Sequence, residues 1–218
     1  MKGSQYNYFG NLDYEGEYLF DKKWSGKGYN NNHDIIYELM NGNGKVREYN
    51  SSGYLVFEGE YLNGKRNGKG KEYNYDGHLI FEGEYLNGQR WNGKEKEYNF
   101  GQLIFEGDYL NGQRNGKGKE YNSDGYLVFE GEYLNGKRNG NGKEYTIISK
   151  LIDNDGTDDY YDQRWDREDR KFDYRRELVF DGEYLNDQKW KGKVREYDYN
   201  GYLIFEGEYL NGKKFIKK

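Results

Sequence analysis

The feature that most constrains the fold is an eight-residue phrase, FEGEYLNG, that recurs along the chain. It begins at Phe57, Phe81, Phe129 and Phe205, and returns with substitutions at Phe105 and Phe180. The steps from 57 to 81, 81 to 105 and 105 to 129 are each 24 residues long. A fixed period of this length indicates a repeat architecture, in which each unit packs on its neighbours. We therefore expect an extended surface rather than an enclosed reaction site.

Composition predicts an ordered chain whose buried surface comes mainly from aromatic rings. Only 33% of the residues are hydrophobic and 33% are charged, which by itself would suggest disorder. Disordered chains, however, are poor in aromatic residues, and 19% of this chain is Phe, Trp or Tyr. Cys and Pro are absent, so a disulfide framework and a Cys-ligated metal are excluded and paired strands are favoured.

One unit, residues 57–80, has the pattern of a β-hairpin. Phe57, Gly59 and Tyr61 alternate with glutamates, which places them on one face of a strand. Residues 63–68 contain two Asn-Gly pairs and form the predicted turn, and residues 69–73 form the returning strand. Asp76-Gly77 is then predicted to be a two-residue type I′ turn, so the hairpins join into a continuous meander.

This register explains the glycines and the charges of the repeat. It places Gly70 opposite Gly83, where a neighbouring aromatic ring can lie across a position that has no side chain. It also places Lys71 opposite Glu82, a cross-strand pair that stabilises a sheet modestly. The Lys and Glu periodicity therefore has a structural explanation that requires no binding site.

The predicted fold class is all-β: an elongated, single-layer antiparallel meander of about eight hairpin repeats. We divide the chain into a lead-in over 1–13, repeats over 14–145, a charged insert over 146–177, and repeats with the C-terminal end over 178–218. The unit that starts at Tyr37 is degenerate, because it lacks the central Gly and has a shortened turn.

Four tryptophans interrupt the pattern. Trp24, Trp91 and Trp190 each follow the repeat start by ten residues, in units that we interpret as having one extra turn residue. These rings either cover a bulge or the end of the sheet, or form aromatic anchors for a partner. Trp165 lies in the insert, which we expect to be a long hairpin or a charged loop. The acidic run at 153–159 does not fit a calcium loop, because its Gly is fourth rather than sixth.

The spacing Gly59-x4-Gly64-x3-Gly68-x-Gly70 resembles the MORN repeat, over about 14–145 and 178–213. The longer unit looks most similar to the second MORN subfamily, of the YwqK-like antitoxin type. The resemblance implies a single-layer sheet of hairpins with a role in scaffolding, protein contact, or attachment to membranes and cytoskeleton. Residues 1–10 contain no apolar segment of the signal-peptide type, so we expect a cytoplasmic protein, with peripheral association with a membrane or the cytoskeleton as the alternative that the resemblance implies.

The sequence offers no catalytic, cofactor-binding or metal-binding constellation. The two histidines, His33 and His78, lie in different units, and paired carboxylates recur in nearly every unit, whereas a catalytic site needs one asymmetric arrangement. We therefore expect a protein that is not an enzyme and that has no cofactor. The net charge of −5 argues against a nucleic-acid partner.

Three functions remain open on the sequence. The first is a scaffold for a protein partner, with an interaction surface that comprises Trp24, Trp91, Trp190, Trp165, Tyr61, Tyr85, Tyr109 and Tyr133. The second is peripheral binding to anionic membrane lipids through Lys65, Arg66, Lys69, Lys71, Lys137 and Arg138. The third is an antitoxin-like inhibitory binder. Pairing of edge strands between copies is a further expectation.

Overall fold

The computed structural model describes residues 1–152 and 171–216, and every regular element in these residues is a β-strand. The strands are β1 Lys2–Tyr6, β2 Leu12–Leu19, β3 Lys22–Tyr29, β4 Ile35–Leu39, β5 Gly44–Tyr49, β6 Leu55–Leu62, β7 Lys65–Tyr73, β8 Leu79–Leu86, β9 Gln89–Asn99, β10 Gln102–Leu110, β11 Gln113–Tyr121, β12 Leu127–Leu134, β13 Lys137–Ile152, β14 Lys171–Leu185, β15 Gln188–Tyr197, β16 Leu203–Leu210 and β17 Lys213–Ile216.

The strands form two open antiparallel sheets in which neighbours in sequence are neighbours in space. β1 to β4 form the first sheet, and β5 to β17 follow one another in the second. The chain divides into two compact units, Met1–Gly116 and Lys117–Lys218. The all-β class and the antiparallel meander of consecutive hairpins are thus confirmed.

The predicted register of the hairpins is also confirmed. Gly70 pairs with Gly83, and Lys71 pairs with Glu82. The glycines are required because the rings lie so close to the backbone. A Cβ added to Gly70 would lie 2.8 Å from Cε2 of Phe57.

Aromatic rings form the core on one side of the sheet, which we call the ring face and define by Phe57, Gly59 and Tyr61. Five of the phenylalanines that start a unit are almost fully buried, namely Phe57, Phe81, Phe105, Phe129 and Phe180, whereas Phe205 is partly buried. In Met1–Gly116, the Tyr85 ring lies between the rings of Phe57 and Phe81, at 5.1 and 5.2 Å between centroids and in edge-to-face geometry. Edge-to-face pairs at this distance are favourable beyond the area that they bury.

The connections alternate between two sides of the meander. On the turn side, Asn63 and Gly64 both have positive φ, as a type I′ turn requires, and β7 begins at Lys65. The predicted six-residue turn is therefore wrong, because residues 65–68 belong to β7.

The type I′ assignment to Asp76-Gly77 is also wrong. This connection is a five-residue loop on the opposite side, the loop side, and only its Gly77 has positive φ. The side chain of Asn74 holds the loop, because its Oδ1 accepts hydrogen bonds from the backbone N–H groups of Asp76 and His78 at 3.0 and 2.9 Å.

The meander is interrupted at the degenerate unit, which corrects the prediction of a continuous one. β4 and β5 lie in different sheets and are joined only by a bridge between Met40 and Asn43. In a regular hairpin two glycines face each other here, and a Cβ on Gly59 would lie 2.7 Å from the opposing Cα. Leu39 and Val46 take the place of that glycine pair and are buried. Two branched side chains do not fit this close approach, so the strands separate.

Strand pairing extends into both irregular segments of the sequence. β1 lies within the lead-in and pairs with β2, with Gly3 opposite Gly16. β13 and β14 continue beyond the neighbouring strands and pair as far as Ile152 with Lys171. Trp165 and the acidic run at 153–159 lie outside the described residues.

Candidate interaction surface

In the four units that start at 57, 81, 105 and 129, the ring face is covered by the arginine that follows the Asn-Gly turn. The guanidinium carbon of Arg66 lies 4.2 Å from the ring centroid of Phe57, within the range of a cation–π contact. Its Nη2 donates to Oε2 of Glu48 at 2.7 Å, and Nε donates to Oε1 of the same carboxylate at 3.2 Å. The hydroxyl of Tyr61 donates to the same carboxylate. Arg90, Arg114 and Arg138 repeat this stacking on Phe81, Phe105 and Phe129.

Burial and these ion pairs change the acidity of the groups involved. Burial raises the pKa of Tyr85, and the nearby Glu72 carboxylate raises it further. Burial is the largest single influence on Glu72 and would raise its pKa, but the hydrogen bond and charge of Arg90, the Tyr85 hydroxyl and the charge of Arg66 together lower this pKa. Burial raises the pKa of Tyr14 to about 12. The ring face is therefore a set of satisfied, self-paired groups.

The four predicted surface tyrosines belong to this covered face. Tyr85 and Tyr133 have exposed fractions of only 3% and 4%, and they form part of the core. Tyr61 and Tyr109 are partly buried and pack against the core of Met1–Gly116. Tyr85 and Tyr133 thus expose almost no surface, whereas Tyr61 and Tyr109 keep part of theirs, and a role of these tyrosines in partner binding stays a prediction.

The turn tryptophans lie at β-bulges on the turn side. Glu84 pairs with Asn92 and Tyr85 pairs with Arg90, so Trp91 is the residue without a cross-strand partner. Trp24 and Trp190 occupy the same position. The extra residue predicted for these units is present, but its predicted place in the turn is wrong: the turn 87–88 has two residues, as 63–64 has, and Trp91 lies within β9. All three rings are only partly exposed.

Each bulge carbonyl receives a hydrogen bond from the next Asn-Gly turn. The N–H groups of Gly42, Gly112 and Gly212 donate to the carbonyl oxygens of Trp24, Trp91 and Trp190 at 2.6, 3.0 and 3.0 Å. A side chain reinforces the contact at Trp91, since Oδ1 of Asn92 accepts from the N–H of Asn111 at 3.0 Å. These bonds give the tryptophan positions a structural role in joining successive hairpins.

The six predicted lipid contacts fall into two groups. Arg66 and Arg138 are paired with Glu48 and Glu120, and Lys71 lies 3.2 Å from Glu82, so these three cations are already engaged. The other three side chains are exposed: Lys65, Lys69 and Lys137. Their role in lipid binding stays a prediction.

The face opposite the ring face carries the alternating Glu and Lys side chains, and we call it the Glu/Lys face. In Met1–Gly116 it contains an open groove of about 670 Å³. Four acidic and four basic side chains line the groove: Glu58, Glu60, Glu82, Glu84, Lys45, Arg47, Lys69 and Lys71. The charges balance, so the groove has no net attraction for a ligand of either sign.

The sequence reasoning missed a set of exposed aromatic side chains on the loop side. Five of them in Met1–Gly116 have exposed fractions between 60% and 101%. They are Tyr8, Phe9, Tyr54, Tyr75 and Phe100. The sequence pattern that could have predicted them is an aromatic residue next to or near a glycine in a turn segment. We interpreted that pattern only as a turn and not as an exposed ring.

The charges on the loop side are also unusual. The five connections concerned, 7–11, 30–34, 50–54, 74–78 and 100–101, contain Asp34 and Asp76 and no Lys or Arg. Together these residues form what we call the loop-side surface, which is aromatic, acidic and exposed.

Comparison with known families bears on this fold. Residues 57–79, 105–125 and 129–146 match the family described as the MORN repeat. Three segments of the chain are therefore MORN repeats. No curated protein is significantly similar to the chain. The MORN repeat is a non-enzymatic repeat type, generally associated with scaffolds for protein or membrane-lipid interaction.

Two further observations concern the described residues alone. None of their His, Asp or Glu side chains form a group of three that could hold a metal ion. They also include no helix of the length and apolar character that a membrane span requires.

Proposed function

We propose that the chain is a non-catalytic scaffold that binds a protein partner through the loop-side surface of Met1–Gly116. The observation that carries the proposal is the exposure of five aromatic side chains on loops that connect strands of the two sheets. Exposed aromatic residues are enriched among the side chains that dominate protein–protein affinity. Isolated exposed hydrophobic residues are ordinary, but a repeated set on one side of a sheet marks an interaction site.

The ring face is already covered by side chains of this chain, which also favours the loop-side surface as the binding site. Its phenylalanines are buried under arginines of the same chain, and opening it would break ion pairs such as that of Arg66 with Glu48. The loop-side rings, in contrast, are accessible without rearrangement. Partner binding on the loop side therefore leaves the core intact.

A pair of matched variants tests the proposal. The loop-side variant carries Tyr54→Ser, Tyr75→Ser and Phe100→Asn, with Asn chosen because Phe100 has a positive φ that Asn tolerates. The control carries Leu62→Ser and Leu86→Ser on the turn side, where both leucines are about half exposed. Proteins captured from the native lysate by the wild type and the control should be lost from the loop-side variant. Equal capture by all three proteins would contradict the proposal.

Binding to anionic membrane lipids is the second candidate function, and it would use the turn side. The specific observation is that exposed Lys65 and Lys137 pair across the strands with Leu62 and Leu134, which are each 48% exposed. Basic residues beside apolar ones suit an anionic interface. Sedimentation with phosphatidylserine vesicles at low salt should then depend on Lys65 and Lys137, and it should be unchanged in the loop-side variant.

The YwqK-like antitoxin resemblance is a narrower form of the first proposal. An inhibitory binder would hold a toxin-like protein on the loop-side surface, and a toxin-like gene beside this one would support it. Pairing of edge strands between copies is a separate proposal. Sedimentation velocity over a range of protein concentrations would test it.

A further inference from the structure

The loop-side surface contains a pocket of about 510 Å³ where the first three loops of Met1–Gly116 meet. Two contacts bring the loops together. Nδ2 of Asn7 donates to Oδ1 of Asn31 at 2.9 Å, and a Cβ added to Gly53 would lie 2.8 Å from Nδ2 of Asn31. The loops 7–11, 30–34 and 50–54 thus lie close together around the pocket.

Four tyrosines line this pocket: Tyr6, Tyr8, Tyr29 and Tyr49. Tyr6 and Tyr8 are well exposed, with exposed fractions of 62% and 84%, whereas Tyr29 and Tyr49 are partly buried. Tyrosine faces carry negative potential and attract an ammonium or guanidinium group within about 6 Å of the ring. A cluster of such rings around one cavity suits a cationic group.

The charges around the pocket have the matching sign. Its lining includes the carboxylate of Asp13 and no Lys or Arg. Lys23 approaches Asp13 from the side of the core, where its Nζ lies 3.0 Å from Oδ2 of Asp13 and 5.0 Å from the ring centroid of Tyr14. Among the described residues, Lys23 is the only cation bonded to this carboxylate.

The asparagines of the pocket are mostly committed to their own loops. Oδ1 of Asn7 accepts from the N–H groups of Phe9 and Asn11, and Oδ1 of Asn30 accepts from those of Asn32 and Asp34. Besides the tyrosine rings and one carboxylate, the polar side chains of Gln5, Asn32 and Ser51 also line the pocket.

We propose that this pocket binds a basic side chain, arginine or lysine, of a polypeptide partner. The inference rests on the proposed scaffold function and specifies the chemistry that the partner presents. The tyrosine faces hold the cation, Asp13 supplies the opposite charge, and the exposed aromatic residues of the neighbouring loops contact the flanking chain.

The test titrates the full chain with capped tetrapeptides and follows the tyrosine ring resonances by NMR. The probes are Gly-Arg-Arg-Gly, its Gln and Glu counterparts, and maltose as a neutral saccharide. We expect the arginine peptide to shift the tyrosine resonances and to bind more weakly as salt rises. Tyr6→Ser with Tyr8→Ser should weaken it about fivefold or more. Lys23→Gln should tighten it, because Asp13 then lacks its competing cation.

The controls separate this inference from the proposed function. Leu86→Ser changes an exposed apolar residue on the turn side, away from the loop-side surface, and should leave the dissociation constant of the arginine peptide unchanged. Preferential binding of maltose or of the Gln or Glu peptide would overturn the inference, and so would an arginine peptide that binds the Tyr6/Tyr8 variant as well as the wild type. Neither result affects the partner-capture experiment. The proposed scaffold function can therefore be correct even if the pocket does not bind a basic side chain.

Discussion

The guanidinium of Arg66 lies over the ring of Phe57, with 4.2 Å between the guanidinium carbon and the ring centroid. This contact explains how one face of an open sheet can bury phenylalanine completely. The ring rests on glycine backbone, while the arginine covers its other face and is held there by Glu48. In this way, an arginine of the unit shields the phenylalanine ring of the same unit from solvent.

Arg66→Ala should therefore destabilise the protein. The substitution uncovers Phe57 and leaves the partly buried carboxylate of Glu48 without its main donor. We expect a loss of about 1–3 kcal/mol, because hydrogen bonds to charged groups and cation–π contacts each contribute at this scale. The urea unfolding midpoint measures it. Lys65→Ala, one residue earlier and exposed, is the control and should change stability by less than about 0.5 kcal/mol. Equal effects of the two changes would contradict the covering role.

The paired glycines give a steric prediction. Gly70→Ala would place a Cβ 2.8 and 2.9 Å from two carbons of the Phe57 ring, so the ring must move from its site in the core. We expect a loss of about 1–3 kcal/mol, the usual effect of overpacking. Gly3→Ala is the matched control, because Gly3 has the same Lys-Gly context but its Cβ would lie 3.5 Å from Tyr18, an ordinary contact. Thermal unfolding of both variants distinguishes them, and a Gly70→Ala protein as stable as the control would refute the ring-on-glycine packing.

The gap between β4 and β5 should be visible in hydrogen exchange. These strands lack the cross-strand ladder that joins β6 to β7, so peptides covering 35–49 should exchange faster than peptides covering 57–73. Exchange followed by mass spectrometry measures the difference. Similar protection in the two segments would show that the sheet is continuous in solution.

The period, the strand faces and the register of the regular units could be predicted from sequence, because glycines, glutamates and lysines alternate in a fixed phase. Gly70 opposite Gly83 is an example. The split at Leu39 and Val46 could not, because a missing glycine is visible in sequence but its steric consequence depends on how closely the two backbones approach. The loop assigned to Asp76-Gly77 was missed because Asn74 stabilises a longer connection than the Asp-Gly signal indicates.

The surface was harder to predict than the fold. Tyr85 was expected on an interaction surface because a single-layer sheet cannot bury both faces with another layer. The cover comes instead from side chains such as Arg90, whose sequence neighbours indicate only a turn. Phe100, which is fully exposed, looked like part of a connection. Exposure of a ring depends on which side chains fold over it, and repeat spacing carries little of that information.

Low pH should weaken the Arg–Glu ion pairs that cover the ring face, and so lower the stability of the fold. Burial would raise the pKa of Glu72, but in the folded state this pKa is lowered, because the hydrogen bonds from Arg90 and Tyr85 and the charges of Arg90 and Arg66 together outweigh burial. A lowered folded pKa contributes stability that is present above the unfolded value, about 4.3, and is lost as pH falls through the folded value. Glu72→Gln should thus cost about 1–3 kcal/mol at pH 7 and progressively less below about pH 4.

Urea unfolding of Glu72→Gln and wild type between pH 7 and pH 2.5 measures this convergence. Glu82→Gln is the control, because Glu82 is exposed on the Glu/Lys face and pairs only with Lys71 at 3.2 Å. It should show a small effect at every pH. A Glu72→Gln effect that stays constant down to pH 2.5 would contradict the assigned role of the ionised carboxylate.

Alkali should act through the buried tyrosines, and Tyr85 is the sharpest case. Burial and the neighbouring Glu72 raise its pKa, so the folded state keeps the proton that the unfolded chain releases near pH 10. The resulting stability is present below about pH 10 and is lost as pH rises towards the folded value. At pH 7, Tyr85→Phe removes the 2.8 Å hydrogen bond to Glu72 and should cost about 1 kcal/mol. Phenylalanine does not titrate, so the variant should lose less stability than wild type between pH 9 and pH 11, and the two unfolding midpoints should converge.

Tyr75→Phe, at an exposed loop residue, should match wild type throughout this range. Parallel pH profiles for Tyr85→Phe and wild type would show that Tyr85 ionises as easily in the folded protein as in the unfolded chain.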